Sequence, residues 1–328
     1  MSCSQFKDCQ ASWEDDLIRI ENKEIIRIIS VKNGFCRTIS FQHKESDKEW
    51  IIPLEEEHDF FYTALLESYD CQPVRLQCKG VESEVISDDL YQHDCLKVTL
   101  AFYDAVQELK LNREYFIYPG IAAIGTRIVM QTPVCPNGYN LIEKHAPEIG
   151  FRSMENAMDI LRLKDEQYRM RCVRFNGRTD YSNHLVRETD FIRKKDAGRR
   201  VLQGNLLFIQ EMNTDTGLFI LQEAPSSAER RREGTGDFIL QENTVKSCGW
   251  GILPGEFDQS IFTSYLHVTG CFRGNMDQGY LELRRYFNQR FKMDIEKNAM
   301  IMANPWGGNG ARWYENVGDG YIEKELQA

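Results

Sequence analysis

The residues best suited to chemistry on a small polar substrate stand in the stretch Asn304-Pro305-Trp306-Gly307-Gly308-Asn309-Gly310-Ala311-Arg312-Trp313-Tyr314. Aromatic faces stack on the apolar C–H surfaces of sugar rings, and amide side chains hydrogen-bond to hydroxyls. Asn304, Trp306 and Trp313 are therefore the candidate substrate-binding residues, for a carbohydrate. The same aromatics can instead pack the mouth of a barrel against a neighbouring domain, and the sequence leaves both readings open. Gly307-Gly308-Asn309-Gly310 could be taken for a phosphate cradle, but a flexible, close-packed loop is the plainer reading. It lacks the G-K-[ST] ending of a P-loop and the G-x-G-x-x-G spacing of a dinucleotide fold.

Asp88, Asp89, His93 and Asp94 form the densest acid–histidine cluster. Oxygen and imidazole ligands at that spacing can hold a divalent ion, but a polar turn between strands is the plainer reading. His184 and His267 lie inside β-rich segments. There a histidine beside a carboxylate can act as acid and base, whereas a lone one is more often a hydrogen-bonded structural residue. The ten cysteines are scattered, with no C-x-x-C pair, so no metal site is expected. Reduced, buried thiols of a cytoplasmic protein fit them better. No G-x-S-x-G elbow is present. No cofactor is expected, and no residue receives a catalytic role.

The elements that would position the terminal loop are legible on both sides of it. Ala299-Met300-Ile301-Met302-Ala303 is continuously apolar, as in a parallel strand covered on both faces. Beyond the loop, Asp319 offers an N-cap, with Glu323 early in the helix and Ile322 and Leu326 on one face. That is one strand and one helix, the opening unit of an α/β fold. Upstream, NMDQGYLELRRYFNQRFK places Tyr280, Leu283, Phe287 and Phe291 on one stripe of a linker helix. Asp277 favours its N-terminus, and Arg290 and Lys292 suit its C-terminus.

Most of residues 12–270 reads as β structure. LKVTLAFY alternates Leu96, Val98, Leu100 and Phe102 on one face with Lys97, Thr99 and Tyr103 on the other. REYFIY and GTRIVMQT flank the turn Tyr118-Pro119-Gly120, and NLLFIQEM and GLFILQEA form a hairpin. SMENAMDILRL reads as a short helix begun by Ser153. Many strands with short polar turns point to a mainly β chain built as a large antiparallel sandwich. The expected boundaries are a sandwich over residues 1–274, a linker helix over 275–297 and the strand–loop–helix unit over 298–328.

Apolar residues at 42% supply ample core for a chain of 328 residues. The net charge of −10 argues against nucleic acid or an anionic membrane surface as partner. Basic runs such as Arg230-Arg231-Arg232 are interleaved with acids. No signal peptide or membrane span is visible, so a cytoplasmic location is expected.

In the order of its segments the chain resembles the retaining α-glycosidases of the α-galactosidase clan, especially family 36. The resemblance runs from IRIISVKNGFCRTISFQHKESDKEW, between Trp13 and Trp50, through REYFIYPG, GLFILQEAP and YLELRRYF to MIMANPWG. It implies a galactose-mutarotase-like β-supersandwich, a connecting helix and the first unit of a catalytic (β/α)₈ barrel. It also implies that Asn304 and Trp306 match the family's Asn-x-Trp-like sugar-subsite element. The acid that often follows that tryptophan is absent, since Gly307 and Gly308 stand there. Retaining hydrolysis needs two carboxyl groups about 5 Å apart. In the family both come from later barrel strands, so the chain is expected to be a non-catalytic front part of an enzyme acting on α-linked glycosides. Its implied partners are an α-galactoside-like carbohydrate and a C-terminal catalytic barrel, and a homo-oligomer is compatible. The alternatives are a free-standing carbohydrate-binding sandwich and an aldose epimerase-like protein using His184 or His267.

Overall fold

The computed structural model describes residues 2–55, 57–60, 76–88, 92–105, 109–131, 157–164, 166–175, 186–194, 196–223, 236–248 and 261–292. An antiparallel meander comes first: β1 (Ser2–Phe6), β2 (Cys9–Glu14), β3 (Leu17–Glu21), β4 (Ile25–Ser30), β5 (Arg37–His43) and β6 (Lys48–Glu49). The chain continues through β7 (Gln77–Asp88), β8 (Gln92–Asp104), β9 (Leu109–Ile117), β10 (Ala123–Gln131), β11 (Ala157–Arg162), β12 (Tyr168–Phe175) and β13 (Val186–Arg193). It then forms β14 (Arg200–Leu202), β15 (Leu206–Glu211), β16 (Thr216–Gln222), β17 (Phe238–Gln241), β18 (Thr244–Cys248), β19 (Phe262–Thr263), β20 (His267–Arg273) and the helix α1 (Met276–Arg290).

A ten-stranded sheet runs β13-β12-β15-β16-β20-β10-β9-β8-β7, with β19 beside β10. A smaller sheet runs β11-β18-β17-β14. The segment after β6 stitches the meander to this smaller sheet. Ile52 N donates to Arg162 O, Lys164 N donates to Trp50 O, and Ile160 N donates to Asp59 O.

Period-two alternation gives the large sheet two buried faces. Leu96, Val98, Leu100 and Phe102 of β8, with Leu207, Ile209, Leu218 and Ile220, share a core with Ile18, Ile20, Ile29, Phe41 and Trp50 of the meander. On the opposite face Phe116, Phe208, Phe219, Val268 and Phe272 pack with Met276, Leu283 and Tyr286 of α1. The fold is therefore a mainly β supersandwich with a helix laid on its outer side. Among the described residues no helix is long and apolar enough to cross a membrane.

The expected hairpins form: β9 pairs β10, and β15 pairs β16. The segment read as a helix from Ser153 does not. Its described part is β11, paired with β18, and Ala157 through Leu161 are all buried. A run without a solvent face gives a helix no amphipathic advantage, and two neighbouring layers supply the ladder instead. The strand expected at Ala299–Ala303 and the helix expected from Asp319 lie outside the described residues.

Helix α1 is rotated from the expected stripe. Its buried line is Met276, Gly279, Leu283 and Tyr286, whereas Tyr280 and Phe287 are half-buried and Phe291 is 38% exposed. Asn275 caps it, accepting from the backbone N–H of Asp277 and Gln278 at 3.0 and 3.2 Å. The rotation follows from a close approach. A side chain at Gly279 would put Cβ 2.8 Å from Cε1 of Phe208, so only glycine lets the helix settle there. Tyr286 then reaches back to donate to Glu223 Oε1 at 2.7 Å.

Two phenylalanines lie across glycines on the paired strand. Gly217 faces Phe272 and Gly270 faces Phe219 in the β16–β20 register. A Cβ on Gly217 would stand 1.9 Å from Cζ of Phe272. Because that ring is buried beneath α1, it has nowhere to move. Gly217→Ala should destabilise the protein by roughly 1–3 kcal/mol, the usual range for overpacking, read as a lower denaturant midpoint at unchanged slope.

Candidate functional site

Asn304, Trp306 and Trp313 lie outside the described residues, as do His184 and Asp89. His93 and Asp94 follow Gln92 at the start of β8, and Gln92 is in register with Asp88 at the end of β7. His267 is only 1% exposed, at the start of β20.

The interior holds an ion cluster that no motif announced. Arg27 of β4, Arg113 of β9, Asp159 of β11 and Asp59 are all at most 1% exposed. Arg27 donates Nη1 and Nη2 to the two oxygens of Asp159 at 3.0 and 2.6 Å, and Nη2 to Asp59 Oδ2 at 3.3 Å. Arg113 Nη2 donates to Asp159 Oδ1 at 3.1 Å, and its Nη1 donates to the Met158 carbonyl. Thr38 accepts from Arg27 Nε at 3.0 Å and donates to Asp59 Oδ2 at 2.6 Å. Both guanidiniums lie near the Tyr115 ring, at 5.2 and 5.5 Å. Burial pushes the Asp159 carboxyl up, but the Arg27 charge and hydrogen bonds and the Arg113 charge outweigh it and hold it below the usual carboxylate range. Two cations and two anions balance, and the group has no opening to solvent. It is architecture.

Among the described residues, a cleft opens at one end of the meander. A cavity of about 380 Å³ is lined by Glu24, His43, Glu45, Asp215, Arg273 and Glu282, among others. Strand pairing assembles it. The Ile25–His43 register sets Glu24 beside the end of β5, and the Thr216–Arg273 register sets the β15–β16 turn beside the end of β20. Helix α1 adds Glu282 and Arg285. Arg273 bridges Glu45 at 3.3 Å and Asp215 at 3.2 Å, and Arg285 holds Glu282 at 2.8 Å. His43 is 3% exposed, and its Nδ1 shares a hydrogen bond with Ser46 Oγ at 2.8 Å. Burial lowers its pKa against the opposing pull of Glu45, Glu24 and Glu282. One ligand atom from each of Glu24, His43 and Glu45 lies within 4.8 Å of the others, so this trio can hold a cation. Sequence reading missed the cleft because its groups come from separate strand ends, and only the register joins them.

No protein-family model and no curated protein sequence matches the chain. Solved structures do resemble it. The α-galactosidase of Lactobacillus brevis superposes with a TM-score of 0.52 at 13% identity, over 84% of this chain and 42% of that enzyme. A single-substitution variant of the family 36 α-galactosidase of Geobacillus stearothermophilus in complex with 1-deoxygalactonojirimycin gives 0.54 at 9% identity, over 86% and 44%. A variant of the same enzyme in complex with stachyose gives 0.53 at 10%, over 86% and 44%. The likeness is one of fold. The chain spans less than half the length of these enzymes.

Two outcomes follow from the interior groups. Asp159→Asn removes the anion that faces both arginines and should cost about 3–5 kcal/mol, as for breaking a buried pair, measured by denaturant unfolding. His58 accepts from Cys36 N at 3.1 Å and sits between the Phe35 and Phe60 rings, where burial lowers its pKa below the ordinary 6.5. As pH falls below that value the unfolded chain takes up a proton that the folded chain refuses. His58 thus stabilises fully above it, and that contribution declines as pH falls toward the folded pKa. Thermal unfolding between pH 7 and pH 5 should show falling stability, with a shallower slope in His58→Gln.

Proposed function

We propose that this chain supplies the non-catalytic β-supersandwich of an α-galactosidase-like glycoside hydrolase acting on α-linked glycosides. One observation carries the reading: the likeness takes in 84–86% of this chain yet only 42–44% of the α-galactosidases. In such an enzyme the two carboxyl groups of the retaining reaction belong to a catalytic barrel, and the sandwich forms a wall beside it. Asn304, Trp306 and Trp313 would contribute to the sugar subsite at the join. The sandwich, helix and barrel boundaries proposed for such an arrangement fall near residues 274 and 297.

The 328-residue chain, purified alone, should release no p-nitrophenol from p-nitrophenyl α-galactoside above the uncatalysed rate. A product that continues in the natural reading frame into a barrel should hydrolyse it, with retention of anomeric configuration by proton NMR. Hydrolysis by the chain alone, lost in Glu24→Gln or Glu45→Gln, would overturn the reading and move catalysis to the cleft.

A further inference from the structure

Glu24, His43 and Glu45 converge at the open end of the β4–β5 hairpin without any ligand role in the function above. Glu24 immediately precedes β4, His43 ends β5 and Glu45 follows two residues later, so the ladder itself fixes their spacing. His43 is nearly sealed from solvent yet lines the cavity. Nδ1 shares a hydrogen bond with Ser46 Oγ at 2.8 Å. One ligand atom from each of Glu24, His43 and Glu45 lies within 4.8 Å of the others, and a hydrogen bond such as that to Ser46 is the kind of second-shell contact that fixes the ring of a metal-ligating histidine. The cleft carries Glu24, Glu45, Asp215 and Glu282 against Arg273 and Arg285, an excess of negative charge that favours a cation.

We propose that Glu24, His43 and Glu45 bind a divalent first-row transition cation of the zinc class, with water completing the coordination. One imidazole and two carboxylates suit such an ion better than Ca²⁺, which takes oxygen ligands alone, or Cu(I), which selects sulfur. Bonds of about 2.0 Å put the ligand atoms of a tetrahedral site roughly 3.3 Å apart, so the trio must close from its present spread. Glu45 can supply that movement, since its side chain is 55% exposed. Arg273 now neutralises Glu45 and keeps Asp215 as a partner when Glu45 turns to the metal. The site is independent of whether the chain belongs to a glycosidase.

The test uses the whole chain, stripped with EDTA and kept reduced, titrated with Zn²⁺ by calorimetry and with Co²⁺ by absorption. One equivalent should bind, with cobalt d–d bands and no thiolate-to-cobalt charge-transfer band. Glu45→Gln alone, at an exposed position that folding tolerates, should weaken Zn²⁺ binding by more than about tenfold, the cost typical of disturbing a metal shell. Arg273→Gln, which removes the competing cation, should strengthen it. Absence of stoichiometric binding, a thiolate band, affinity unchanged in Glu45→Gln, or no gain in Arg273→Gln would each overturn the proposal. The hydrolase assay above leaves this result untouched, so the two readings fail separately.

Discussion

Everything else in the sandwich is arranged around the buried Arg27–Asp159–Arg113–Asp59 cluster. Its members come from the meander, the ten-stranded sheet, the smaller sheet and the segment that stitches the layers together. Taking four charges out of water costs several kcal/mol per ion, and mutual attraction offsets this only when geometry and hydrogen bonds are good. Thr38, the Met158 carbonyl and the Tyr115 ring provide those extra partners. The consequence is specificity of register more than gross stability. Slipping β4 or β9 by one residue would carry its arginine to the opposite face of the strand and leave the aspartates unpaired in the interior.

That register reaches the surface. With Arg27 fixed opposite Phe41 in the ladder, Ile25 pairs with His43, and Glu24 and Glu45 meet beside the imidazole at the hairpin's open end. On the large sheet, the β16–β20 pairing that lays Phe272 across Gly217 also sets Thr216 against Arg273, and so brings Arg273 to Asp215. The cleft is the external end of strands whose alignment is decided inside.

Much of this was legible in the residues. Alternation in LKVTLAFY and the polar turn between NLLFIQEM and GLFILQEA gave strands that the structure reproduces, because a half-buried strand must show its period. Alternation even carried a hint of the cluster. Arg27 shares its parity with Ile25 and Ile29, and Arg113 with Leu111 and Tyr115, so each arginine stood on the core face. An arginine among isoleucines is normally read as a break toward solvent, and the partner that reverses this lies 132 residues away in Asp159. Local pattern failed where a second layer decided. Ala157–Leu161 became a strand because both sides are covered, and α1 turned by about one residue because Gly279 meets Phe208. The cleft was not legible at all, and the proposed sugar-binding residues fall outside the described segments.

A double-mutant cycle across the layers tests the central claim most directly. Arg27→Met, Asp159→Leu and the pair together are unfolded in denaturant, and the coupling energy is extracted. The account predicts that each single change is strongly destabilising and that the double costs less than their sum by about 1–3 kcal/mol. Additive costs, with no coupling between the two sites, would show that the cluster does not hold the layers in register.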